Sequence, residues 1–283
     1  MNIKGSRIIP TSIFHHSHSL VHTISSYSVS HSIAKPLSFT MKTTATLLSF
    51  LPMLATANIG LDWSIANVST SGLKDITFPM AMPRAKHENG LYFAQQFGFV
   101  GVDDVGYTGL QPRSDTANGT SIVHAVFSSF VAGTTTSDSE HCSGGADGGP
   151  GVSCAVDVPA PYSRPYNLVI KNTHGTTWTG TLVDAVAGNA THIGTYTLPA
   201  GTGGIQSSQL GFVEYFLFNS ETGGGCGKMP KADATFWAPR TNTSSLGVGK
   251  LGKPYPYGDC AEEGGFEASR VGGGGYRARI GFV

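Results

Sequence analysis

Helical periodicity is the first thing this sequence lacks. No stretch keeps apolar residues at i, i+3, i+4 and i+7 over several turns, which argues against a helical bundle or a coiled coil. Charge is also scarce: 13% of the 283 residues are charged against 40% hydrophobic, and the formal net charge is zero. Without a basic surplus there is no electrostatic footprint for nucleic acid. No run approaches the ~20 apolar residues that span a bilayer as a helix. GxSxG, HExxH, a Walker-type phosphate loop and any CxxC pair are missing too. That removes the familiar signatures of serine hydrolases, zinc peptidases, nucleotide binders and zinc fingers.

What the chain has instead is glycine (38 residues) and β-formers. The region from Tyr166 to Phe218 reads PYNLVIKN, TTWTGTLVDA, THIGTYTLP and QLGFVEYFLFN, each bounded by Gly, Asn or Pro. Runs rich in Val, Ile, Thr, Tyr, Phe and Trp between such breakers predict successive antiparallel strands. Ala187-Gly188-Asn189 supplies a hairpin turn, since Gly and Asn tolerate positive φ. Earlier, Asn58 to Thr77 predicts an edge strand and Phe78 to Lys86, with two prolines, a connector. Leu91 to Val100, Val105 to Gln111 and Ser121 to Phe130 predict three more strands. Glu221 to Gly275 reads as irregular, and Tyr276 to Val283 as a final strand. The expected fold is all-β: a single antiparallel β-sandwich or jelly roll of the concanavalin-like kind, with little helix.

The N-terminus predicts secretion from an unusual position. Met41-Lys42 opens a basic region, Leu47 to Leu54 is apolar, and Ala55-Thr56-Ala57 fits a small-x-small cleavage site, leaving Asn58 first. Residues 1–40 are Ser-rich, carry five His and no acid, and read as an upstream extension ahead of Met41, the expected true start, rather than a metal site. The expected organisation is therefore 1–40 extension, 41–57 signal peptide and 58–283 one domain. Removing residues 1–57 takes away Lys4, Arg7, Lys35 and Lys42 and no acid, so 14 basic residues face 18 acidic ones, a formal −4. Four cysteines in a secreted chain point to disulfides. Pairing of sequence neighbours, Cys142 with Cys154 and Cys226 with Cys260, is the simplest of the three connectivities. Sequons at Asn67, Asn118, Asn189 and Asn242 agree with the secretory route.

Tyr92-Phe93-Ala94-Gln95, Gly106-Tyr107-Thr108-Gly109-Leu110-Gln111, Val126-Phe127-Ser128, Tyr166-Asn-Leu-Val169, Asp184 and Phe212-Val213-Glu214 together resemble the secreted proteins of domain-of-unknown-function family 3472. The resemblance covers about Gly90 to Asn219. It implies an extracellular β-sandwich suspected of binding or acting on carbohydrate, and supplies no catalytic residues.

The informative side chains are polar residues inside apolar strands: Gln95, Gln96, Gln111, His124 and Glu214. On a sheet face beside aromatics, such residues make a sugar-binding surface, because rings stack on apolar sugar faces and amides read hydroxyls. Gln95, Gln111, Trp178 and Tyr215 are the candidate substrate contacts. Tyr107, His124, Arg113 and Glu214 are the candidate catalytic groups. A Tyr or His base with Gln or Arg neutralising a uronate carboxylate suits a lyase. A glycoside hydrolase needs a second carboxylate facing Glu214, for which Asp184, Glu262, Glu263 and Glu267 are available. The structural alternative pairs Glu214 with Arg277 or Arg279. Asp103, Asp104, Asp138 and Asp147 match no EF-hand spacing and read as solvated loop acids, so no cofactor and no structural calcium is expected. The gathered expectation is a secreted monomer that recognises or processes a polysaccharide. A lyase or glycoside hydrolase is the first alternative, and a structural or host-interaction protein the second.

Overall fold

The computed structural model describes residues 57–219, 226–245, 247–258 and 260–282. The expected extension (1–40) and, apart from Ala57, the expected signal segment (41–57) lie outside these residues. Sixteen strands are present, and no α-helix among the described residues. In chain order they are β1 (Ala57–Ser64), β2 (Asp75–Ala81), β3 (Leu91–Gly98), β4 (Val105–Pro112), β5 (Ile122–Ser129), β6 (Cys142–Ala146), β7 (Gly149–Pro159) and β8 (Tyr166–His174). They continue as β9 (Thr177–Asp184), β10 (Ala190–Thr197), β11 (Ser208–Tyr215), β12 (Ala232–Phe236), β13 (Lys250–Leu251), β14 (Tyr255–Pro256), β15 (Glu267–Val271) and β16 (Gly275–Ile280).

Two antiparallel sheets result. The first runs β13-β1-β11-β3-β4-β5-β7-β6, with β14 also on β1; the second runs β10-β9-β8-β2-β12-β16-β15. The expected all-β sandwich is what forms. Its core lies between the sheets, where alternation delivers Leu61, Phe93, Phe97, Leu110, Phe127 and Val213 from one side and Ile76, Phe78, Leu168, Trp178, Tyr196 and Phe236 from the other. Rings meet across the interface: Phe127 stacks on Tyr196 at 4.4 Å between centroids, and Trp63 meets Phe78 edge-on at 5.1 Å. Such pairs add about 0.5–1.5 kcal/mol each to the burial of their surface.

Three sequence expectations need correction. Phe78 is not a connector residue but the middle of β2, which pairs with β8 through Pro79↔Asn167. Proline fits there because the ladder to β12 begins only at Met80, and the Pro79 carbonyl accepts the Trp237 N–H at 3.1 Å. The segment before it is two strands rather than one, since β1 ends at Ser64 and β2 starts at Asp75. The Gly- and Pro-rich stretch from Glu221 to Gly275 is not simply irregular either. It contributes β12 in the middle of the second sheet, whose five residues ADATF are all buried. Five residues between breakers are too few to show a period.

Both disulfides follow the sequence-neighbour pairing. Cys142 and Cys154 sit opposite each other on β6 and β7. Their bridge packs against β10 of the other sheet at Gly194, where any Cβ would meet the two sulfurs at 2.6 Å.

Candidate active site on the outer face of the first sheet

Register across the first sheet lines up one row of polar side chains. Glu214 on β11 stands opposite Tyr92 on β3. Phe93↔Leu110 places Tyr92 beside Gln111 on β4, Gln111 stands opposite His124 on β5, and His124 opposite Asp157 on β7. Residues opposed in this way share a face. This face is the one turned away from the core, because the interleaved Phe93, Leu110, Val123 and Val213 point inward. The next outward row is Phe212, Ala94, Gly109, Val126 and Ala155, and the one after it holds Gln96, Tyr107, Ser128 and Ser153. A middle row made largely of Ala and Gly, between rows with longer side chains, leaves a trough along the sheet.

The trough is a groove of about 580 Å³ lined by Tyr92, Tyr107, Gln111, His124, Glu214 and Phe216, among others. One wall is the β6–β7 hairpin with its approach, Glu140 to Gly148. Register breaks at Gly144 and Gly145, and positive φ at Asp147 (49°) and Gly148 (76°), turn this hairpin. It comes close enough for the Asp147 charge to act on the Tyr92 hydroxyl. On the β1 side the aromatic ring of Tyr255 lies over Gly60, where a Cβ would sit 2.5 Å from it. Tyr257 follows, close enough to Glu214 for the carboxylate to raise its hydroxyl pKa after burial has done most of the work.

Glu214 is thus buried among rings, with 4% of its surface exposed. Tyr92 packs edge-on against Phe212 at 5.7 Å, and Tyr107 does the same at 5.2 Å. The Tyr92 hydroxyl is buried and has no hydrogen-bond partner among the described residues; burial first, then Asp147, Tyr107 and Glu214, push its pKa well up, so it stays a neutral donor. Gln111 is held from behind: its Oε1 accepts from Arg113 Nη2 at 2.8 Å. Arg113 also donates to Asn89 Oδ1 and to the Pro112 carbonyl, while Tyr162 Oη braces its backbone. Burial lowers the Arg113 pKa, with Asp157 and Tyr162 opposing.

His124 Nδ1 lies 2.7 Å from Asp157 Oδ1. Burial lowers its pKa, the Arg113 charge lowers it further, and Asp157 only partly opposes. The folded value therefore lies below the ordinary 6.5, and the unfolded chain takes up the proton first as pH falls. The His124 contribution should be complete above pH 6.5 and decline as pH drops from there toward the folded value. His124→Gln is expected to flatten the melting-temperature profile across that window; an unchanged slope would refute the assignment.

The candidates separate cleanly. Tyr107, Gln111, His124 and Glu214 come together, with Arg113 behind Gln111. Gln95 does not join them, because its parity turns it inward between Gly211 and Thr108. Tyr215 alternates with Glu214 and faces the core beside Gly90. Trp178 is 1% exposed in the core, 5.3 Å from Phe99, so no ligand reaches it. None of the four acids offered as partners for Glu214 lines the groove: Asp184 caps the β9–β10 turn through the Val186 and Ala187 N–H groups, Glu267 pairs with Arg279, and Glu262 and Glu263 are not among its lining residues. Arg277 pairs with Asp233 on the second sheet, so neither arginine serves Glu214. Tyr92, Tyr257 and Asp147 were not among the candidates. Tyr92 was readable two residues from Ala94 in the same alternating strand; the other two arrive through loops. The four sequon asparagines are all exposed.

No family model matches the chain, and no curated protein does. Solved structures with a related arrangement include scytalido-glutamic peptidase with a peptide-based transition-state analogue, at 13% identity over 78% of this chain and 97% of that one, with a TM-score of 0.41. SCP-B, a member of the eqolisin family of peptidases in complex with the tripeptide Ala-Ile-His, gives 12% identity, the same coverage and the same TM-score. A likeness this distant assigns no chemistry, which has to come from the groove.

Proposed function

We propose that the chain is a secreted hydrolase that cuts an extended polypeptide lying along this groove, with Glu214 as general base and then general acid. One observation carries the proposal: a buried carboxylate and a pinned side-chain amide, Glu214 and Gln111, flank the same tyrosine on a groove floor. Their strands lie two ladder spacings apart, roughly 10 Å, which leaves room for a carbonyl and a water between the two side chains. The Glu214 carboxylate takes a proton from water, whose oxygen attacks the carbonyl carbon. The Gln111 amide N–H donates to the oxyanion that forms, and protonated Glu214 returns its proton to the leaving amine as the C–N bond breaks. Two disulfides fit an extracellular setting. No helix among the described residues is long and apolar enough to cross a membrane.

A glycan-cleaving reading has one observation in its favour: Asp147 lines the same groove as Glu214 and would supply a second carboxylate. Asp157, at the far end of the row, is four spacings or roughly 19 Å away, beyond the reach of a glycosidase pair. Incubation with unfolded protein and with a polysaccharide panel decides. New amino termini, lost in Gln111→Ala and kept in Asp147→Asn, are expected. Reducing ends lost in Asp147→Asn would mean a glycosidase, unsaturated uronate absorbance a lyase built on Tyr107 and His124, and retention without products a lectin. Each of these three overturns the peptidase proposal.

A further inference from the structure

Beside the groove wall, three side chains from two sheets converge in a way the proposed hydrolysis does not use. Asp138 lies in the turn leading to β6, His141 just before β6, and His192 on β10. Their ligand atoms all lie within 4.8 Å of one another. Asp138 Oδ1 is 3.3 Å from His141 Nδ1, and its Oδ2 is 2.7 Å from His192 Nε2. The two imidazoles stand at 87° with centroids 5.1 Å apart, so their nitrogens reach the carboxylate from different directions.

We infer that Asp138, His141 and His192 form a binding site for a divalent transition metal ion, zinc above all, which clamps the groove wall to the second sheet. Two imidazoles and one carboxylate suit zinc, whose bonds of about 2.0–2.1 Å give tetrahedral edges of about 3.3 Å. The Asp138 Oδ1–His141 Nδ1 separation already has that length, and because His192 Nε2 contacts the other carboxylate oxygen, a small rotation of Asp138 would present one oxygen to both imidazoles. Water would complete the tetrahedron on the solvent side, where His192 is 40% exposed.

The surroundings hold the ligands in place. Thr135 and Thr197 exchange backbone hydrogen bonds at 2.9 and 2.8 Å, and Thr136 Oγ1 donates to the Thr195 carbonyl at 2.7 Å, which fixes the Asp138 segment along β10. The Asp138 N–H donates to Thr136 Oγ1, and its carbonyl accepts the Cys142 N–H. A register break between His192 and Gly194 reshapes β10 just at the ligand. The edges thus joined are the outermost strands on that side of both sheets, β6 and β10. His141 and Glu140 also line the groove, so an ion here would set the position of its wall.

Calorimetric titration of metal-stripped full-length protein with zinc chloride at pH 7.5 tests the site, alongside His192→Ala, His141→Gln and Asp138→Asn. Residues 1–40 carry five further histidines, so the readout is the difference between parent and variant. The expected result is one zinc per chain of micromolar or tighter affinity that disappears in each variant, and a melting temperature raised by zinc in the parent alone. Magnesium and calcium should do neither. Circular dichroism of the metal-free variants confirms folding, and His192→Asn replaces any variant that fails to fold. Equal zinc stoichiometry in parent and folded variants would overturn the proposal and leave two His–Asp hydrogen-bonded pairs.

Discussion

Glu214→Gln is expected to lower kcat by about 10³-fold or more while the protein stays folded, because the amide keeps the shape and cannot carry the proton. The strand around it has ladder support on both sides. β11 is hydrogen-bonded to β1 on one side and β3 on the other, and Val213 and Phe212 beside Glu214 are fully buried. The two arginines the sequence offered as its partners, Arg277 and Arg279, are engaged with Asp233 and Glu267 instead. Glutamine keeps the volume of the side chain among the rings of Tyr92 and Phe212 and can still hydrogen-bond, so the melting temperature should change by only a few degrees. Measuring turnover and melting temperature on the same preparation separates the outcomes. Undiminished turnover removes Glu214 from the chemistry, and a collapse in stability makes it structural after all.

How far the sequence alone led depends on which physical signal carried each element. The meander β8–β9–β10 was legible because its strands face core on one side and solvent on the other: Leu168 and Ile170 are buried while Lys171 is exposed. β3 gave a strand but not its faces, since both are covered and all eight residues are buried. That is why Gln95 and Gln96 looked equivalent, although only Gln96 shares the outer face with Tyr92. Gln111, His124 and Glu214 stood out one at a time, as polar residues in apolar runs. Their alignment into a single row is a property of register between strands up to about a hundred residues apart, and no local pattern encodes it. Asp147 reaches the groove, and Tyr257 comes near Glu214, from Gly-rich connections where no period exists to read. The Asp138–His141–His192 cluster was hidden for the same reason: His192 comes from the opposite sheet.

Gln111→Ala should cost about 10² to 10³ in kcat with a change in KM of only a few-fold, the size expected for losing one oxyanion donor. The reason lies in which end of the amide is free. Its oxygen is taken by Arg113 Nη2 at 2.8 Å, and that guanidinium is itself fixed by Asn89 Oδ1 at 2.9 Å and the Pro112 carbonyl at 3.0 Å. An amide whose oxygen points back to a cation presents its NH₂ forward, and only that end can serve an oxygen gaining negative charge. Arg113→Ala frees the amide to flip, and should therefore lower kcat by about ten- to a hundredfold through misplacement alone. Lysine at 113 should restore little, because one ammonium does not reproduce the planar fork that meets three acceptors at once. The double variant should fall no further than Gln111→Ala, since Arg113 acts through Gln111. Additive losses would show that Arg113 touches the substrate itself, and a Gln111→Ala enzyme within threefold of the parent would remove the amide from the mechanism.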